Sequence, residues 1–136
     1  MQAYLGKPYA RNGKGPEAYG CFGLIWRYCK DLGVAMPSEC WTLRGSWTID
    51  NYGDLIDLDR PFAESVMWAV LERIGTPVKP ALAVAGDVLV VRHHEGGIFP
   101  AIYSGNGHAI GAFLAADVRA FALDGENYAI AARRVR

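Results

Sequence analysis

Between Cys21 and Leu32 the apolar residues Leu24, Ile25, Tyr28, Cys29 and Leu32 recur at three- and four-residue intervals. That spacing lines one face of an α-helix. Gly33 stands where helices commonly end on a left-handed residue, so the pattern predicts a helix over 21–32 with Cys21 in its first turn. A second stripe, Phe62, Val66, Val70, Leu71 and Ile74, predicts a helix over about 60–74, stopped by Gly75 and Pro77. Past Gly86 the pattern changes to short apolar runs broken by turn residues. These predict strands over 87–92, 98–104 and 109–114, with Asn106-Gly107 as a hairpin turn and a last strand over 128–134. The Gly/Pro-rich stretch 6–20 reads as an ordered loop. Residues 34–59 show no period, carry Pro37, Gly45 and Gly53, and read as a long connecting loop. Helices followed by an antiparallel meander make an α+β domain.

The chain has 136 residues, 51% of them apolar, which suits a single domain over 1–136 with a real core. Its 14 basic and 14 acidic residues cancel, an argument against nucleic acid or an anionic membrane as the main partner. No apolar run approaches the roughly 20 residues of a membrane span. The opening Met-Gln-Ala-Tyr-Leu-Gly-Lys-Pro has neither the basic nor the apolar region of a signal peptide, so none is expected. Arg133, Arg134 and Arg136 read as a solvated tail. Cys21, Cys29 and Cys40 are odd in number and lack Cys-x-x-Cys spacing, which argues against a disulfide framework or a zinc site. Nothing in the sequence calls for a metal or a cofactor.

Several collinear segments carry a family resemblance. Leu5-Gly6-x-Pro8-Tyr9, Gly13-x-Gly15-Pro16 and Cys21-x-Gly23-Leu24-Ile25-x-x-Tyr28 are similar to the opening of NlpC-family, papain-like cysteine peptidases. Gly86-Asp87-Val88 resembles that family's strand entry, and Ile102-Tyr103-Ser104-Gly105-Asn106-Gly107 its following hairpin. The second helix and the Ala131-Ala132-Arg133-Arg134 ending look most like tail-associated members encoded by bacteriophages and gene-transfer particles. The resemblance implies a papain-like fold in which Cys21 is the nucleophile, with the Tyr9 hydroxyl near it.

It also shows what is missing. The family's His-x-Gly-Ile-Tyr falls on Phe99-Pro100-Ala101-Ile102-Tyr103, so the base position holds Phe99. The residue that orients the imidazole falls on Gly111, and the residues flanking the cysteine are Gly20 and Phe22 in place of Asp and Ser. A thiol attacks as thiolate, and losing base and orienter together removes most of the rate. His93 and His94, ending the strand before Phe99, are the candidates for a displaced base; His108 lies beyond the far turn. Free cysteine also packs as a small hydrophobe, and Phe22 and Phe99 are expected to fill part of the former cleft. Cys21 is therefore read as a relic in preference to a reactive thiol, and Cys29 as core.

Trp41 and Trp47, with Leu43, Ile49 and Tyr52 close by, are either core or partner-binding anchors. Two functions stay open. One is a catalytically degenerate, structural component of a phage-like tail tip, contacting other tail or hub proteins in a virion assembled in the host cytoplasm. The other is an active cysteine endopeptidase acting on the stem peptides of peptidoglycan.

Overall fold

The computed structural model describes residues 2–37, 39–42, 45–114 and 116–136, with side chains at all of these except 39–42 and 45–47. In chain order the elements are α1 (Cys21–Asp31), β1 (Glu39–Thr42), β2 (Gly45–Thr48), α2 (Tyr52–Leu58) and α3 (Arg60–Leu71). There follow β3 (Thr76–Val78), a 3-10 turn (Pro80–Leu82), β4 (Val88–His93), β5 (Ile98–Gly105), β6 (His108–Ala112), β7 (Val118–Ala122) and β8 (Asn127–Arg134). One antiparallel sheet has the order β3-β8-β4-β5-β6-β7, and β1 pairs with β2 alone. The class is α+β, as the sequence predicts.

Helix α1 forms for the reasons its pattern suggests. It buries Phe22, Leu24, Ile25, Tyr28 and Cys29 and packs on β5 and β6. Each such side chain contributes about 1.5–3 kcal/mol by leaving water. Gly33 takes φ 74°, and the Val34 and Gly33 amides donate to the carbonyls of Cys29 and Lys30 at 2.8 and 3.0 Å. This pair of hydrogen bonds closes the helix as a Schellman motif. Helix α3 starts on Asp59, whose carboxylate accepts from the Phe62 amide at 3.1 Å, with Pro61 in the first turn. It ends at Leu71, short of the expected Ile74. The Arg73 and Ile74 amides bond three residues back, to Val70 and Leu71, so the last turn tightens before Gly75.

The meander is as expected, with Asn106 (φ 54°) and Gly107 (φ 75°) making the turn between β5 and β6. Val88, Val90, Ile98, Ile102 and Ile110 face the helices. Leu89, Val91, Ala101 and Ala109 are equally buried on the opposite side, with Phe99, Tyr103 and Phe121 packed against them. Burial on both faces is why β4 reads as an unbroken apolar run.

Three expectations are corrected. The segment 34–59 is not a loop throughout, since it holds β1, β2 and α2. Two four-residue strands are too short to show a period, and α2 is held by a distant group. The Asn12 Oδ1 atom accepts from the Gly53 amide at 2.8 Å, a start signal invisible locally. The edge strands β3 and β7 are additional to the expected ones; Pro77, read as a helix stop, lies in β3, where an edge position tolerates the missing amide. The arginines near the chain's end are not all a solvated tail. Arg133 donates to the carbonyls of Ile74, Glu72 and Gly75 at 2.9, 3.2 and 3.1 Å, capping the end of α3.

Arg134 forks onto Asp87 with bonds of 3.1 and 3.0 Å, and Asp87 also accepts from the Val84 amide at 2.9 Å. The carboxylate is only 2% exposed. Burial alone would raise its pKa, but the Arg134 guanidinium and the Val84 amide outweigh it and hold the group below the ordinary carboxylate value. A depressed folded pKa adds stability above the unfolded value, and that stability is lost as pH falls through the folded one. Asp87→Asn should therefore cost about 1–3 kcal/mol at pH 7. Urea melts at falling pH should show the variant and the parent converging as pH falls below the ordinary carboxylate range.

Candidate functional site

Cys21 is the first residue of α1, as expected. Its helix is capped by Gly20 without a side-chain bond and has no acid in its first turn, and the partly exposed sulfur lies at the amide end of the helix, whose Phe22 and Cys21 amides pull its pKa down. Burial nevertheless dominates, pushing the thiol up to about 11 against the opposing pull of those amides and of Arg60. At neutral pH the group is a thiol, not a thiolate.

A cleft of about 350 Å³ opens beside it. Its lining mixes polar groups, from Tyr9, Arg11, Asp57, Arg60, Glu64 and His93, with apolar ones, from Ile56, Ile98, Phe99, Ala112, Phe113 and Leu114. Tyr52 lines it as well. Burial, then the Cys21 charge, raise the Tyr9 and Tyr52 hydroxyls, so both are neutral donors beside the thiol. Arg11 pairs with Asp54 at 3.4 Å and with Asp57, tying the first loop to α2. Glu64 accepts from the Ile98 amide at 2.7 Å, tying α3 to the start of β5.

The candidate bases divide. His93 lines the cleft, but its Nδ1 accepts from the Glu95 amide at 3.2 Å and its ring stacks on His94 at 4.5 Å between centroids. His94 faces Glu95, 3.8 Å away, and is not part of the cleft. His108 sits at the far hairpin, its Nδ1 2.9 Å from the Asn106 carbonyl. Among the described residues, no imidazole is hydrogen-bonded to Cys21.

The departures from the family pattern have physical explanations. A Cβ at Gly20 would stand 2.6 Å from the Arg11 carbonyl oxygen, so no aspartate fits there in this loop. Phe22 does not fill the cleft as expected: it is 1% exposed and packs on Tyr52, ring centroids 4.8 Å apart. Phe99 does line the cleft. It belongs to a cluster with Phe113 and Phe121, with centroids 5.8, 5.6 and 5.4 Å apart pairwise. A Cβ at Gly111 would meet all three rings at 3.4–3.7 Å. Positions 99 and 111 thus face the same space, and phenyl rings occupy it. Such ring pairs add about 0.5–1.5 kcal/mol each beyond their burial.

Sequence reasoning missed Arg60, Glu64, Phe113 and Phe121. The Arg60 and Glu64 spacing of four residues puts both on one helical face, a signal indistinguishable from a surface ion pair. The two phenylalanines lie on separate segments that only the β5-β6-β7 register brings together. Cys29 is core, with no exposure. The side chains of Cys40, Trp41, Leu43 and Trp47 lie outside the described residues, while Ile49 and Tyr52 are buried.

A cysteine-headed helix laid on an antiparallel meander is the papain-like arrangement of NlpC/p60 domains, and this chain has that fold. The crystal structure of the NlpC/p60 domain of the peptidoglycan hydrolase SagA superposes on it with a TM-score of 0.61. The two are 22% identical, over 96% of this chain and 89% of that one. No family model matches the sequence, and no curated protein does.

Proposed function

We propose that this chain is a non-hydrolysing NlpC-like domain, retained as a structural component of a phage-like tail tip. The observation that carries the loss of hydrolysis is what fills the base and orienter positions of the family pattern: Phe99 and Gly111 lie in a phenylalanine cluster. Burial, which pushes the Cys21 thiol up, points the same way. A phenyl ring takes no proton, so attack and leaving-group protonation both lack an agent. The tail setting is supported by the resemblance of the 60–74 segment and the chain's ending to tail-associated members, and contacts with other tail proteins follow from it.

The alternative, an active endopeptidase on peptidoglycan stem peptides, draws on one observation: His93 lines the same cleft as Cys21. One assay separates the readings. Purified protein incubated with stem peptides should release no fragments, and His93→Ala should change nothing. Fragment release that disappears in both Cys21→Ala and His93→Ala would establish the peptidase and end the proposal. Among the described residues, no helix is long and apolar enough to cross a membrane.

A further inference from the structure

Arg60 is placed against its local physics. It is the first residue of α3, where the partial positive charge of the helix start disfavours a cation. Its guanidinium forms no ion pair with a described side chain. Yet it lines the cleft and lies close enough to Cys21 and Tyr52 to act on both electrostatically. A Cβ on Gly97 would stand 3.4 Å from its Nη1, which fixes the head group at the β4-β5 end of the cleft. The other basic group there, Arg11, is occupied by Asp54 and Asp57.

The same cleft has an apolar lining. Leu114 on it is 78% exposed, and Phe99 and Phe113 are only partly covered by each other and by Phe121. An exposed large apolar residue and a guanidinium without an ion-pair partner among the described side chains, lining one cleft at the small end of the ligand range, describe an amphipathic guest. Glu64 is the constraint on which one. Its Oε2 is engaged by the Ile98 amide, but its charge remains in the cleft, so a guest with several negative charges is repelled.

We infer that the cleft binds the C-terminal residue of a peptide, its carboxylate on Arg60 and a large apolar side chain on Phe99, Phe113 and Leu114. The inference rests on the non-hydrolysing reading, since the peptide end is held and not cut. Tyr9, a neutral hydroxyl in the same cleft, supplies a donor to a remaining carboxylate lone pair. The partner it fits is a protein whose chain ends in Phe, Leu or a similar residue, captured by its terminus.

The test is a set of amide-shift NMR titrations of the whole chain with N-acetyl-phenylalanine, N-acetyl-phenylalaninamide, N-acetyl-alanine and free phenylalanine. N-acetyl-phenylalanine should bind with shifts at residues of the cleft. The amide and the alanine derivative should each bind at least tenfold more weakly. Arg60→Gln should weaken binding at least tenfold without lowering the melting temperature, because it removes a cation from a helix start. Leu114→Ser, at an exposed position, should weaken it severalfold. Equal binding of the amide, or an unaffected Arg60→Gln variant, overturns the assignment of the carboxylate. Tighter binding of free phenylalanine overturns the peptide terminus in favour of a free amino acid, and absence of any binding ends the inference. A parallel incubation with stem peptides keeps the two readings apart. Cysteine-dependent cleavage there refutes the non-hydrolysing reading, whereas no cleavage and no binding refute this inference alone.

Discussion

Gly23→Ala should destabilise the fold more than any other single substitution described for this protein. A Cβ at position 23 would lie 1.8 Å from the Gly13 carbonyl oxygen and 2.8 Å from its carbon. The obstacle is backbone, so no side-chain rotation relieves it. Either α1 lifts off the first loop or the loop moves, and both break the same set of contacts. The Gly20 amide donates to that Gly13 carbonyl at 2.9 Å, and Arg27 holds the next two carbonyls, of Lys14 and Gly15, at 2.9 and 3.0 Å. Displacement of a buried helix from its bed belongs with the rare substitutions that cost more than about 4 kcal/mol. For a domain of this size that is a fall in melting temperature on the order of 10 °C or more. Thermal unfolding followed by circular dichroism reads it directly. A melting temperature within a few degrees of the parent's would show that the helix is not clamped as described.

The second large effect concerns the thiol. Cys21 should react with iodoacetamide at pH 7.5 at least ~10²-fold more slowly than an unperturbed cysteine of pKa ~8.5. Its rate should climb about tenfold per pH unit towards its pKa of about 11, with no plateau near neutrality. Burial raises the folded pKa, so the thiolate appears only as pH approaches that value. A thiolate-imidazolium pair would instead give a fast plateau between about pH 5 and 8. Such a plateau, absent in His93→Ala, would show that His93 serves Cys21 after all. Phe99→His supplies the complementary experiment. It places an imidazole on the cleft wall beside a thiol that already receives two helix amides, and should accelerate alkylation at pH 7.5 relative to the parent. Cys29 has no exposure and serves as the internal control for unfolding.

The long elements were legible because each writes its own period. Helix α1 is legible from Leu24 to Gly33, and so is the β4-β5-β6 meander with its Asn106-Gly107 turn. What escaped was built by distant groups. Helix α2 depends on Asn12, β3 exists because β8 offers an edge, and the arginines near the chain's end find Asp87 and the end of α3 only in three dimensions. The site divides in the same way. The family pattern placed Cys21, Phe99 and Gly111, and the structure brings the last two into one space. It could not say what fills that space, because Phe113 and Phe121 reach it by strand register. Nor could it show that Phe22 turns to the core, since a residue beside the nucleophile can face either way round a helix.

Strand β8 lies between β3 and β4, although it is the last of these strands in the sequence. While this domain emerges from a ribosome, everything up to β7 can therefore be synthesised with the sheet still split. Until residues 127–134 clear the exit tunnel, β4 presents a bare row of peptide groups and an apolar surface, a template for pairing with any neighbouring nascent chain. Closure then joins segments about forty residues apart, the kind of long-range pairing that slows folding. β8 is thus the strand that completes the sheet, and the two arginines at its end join it to the turn after α3 and to Asp87.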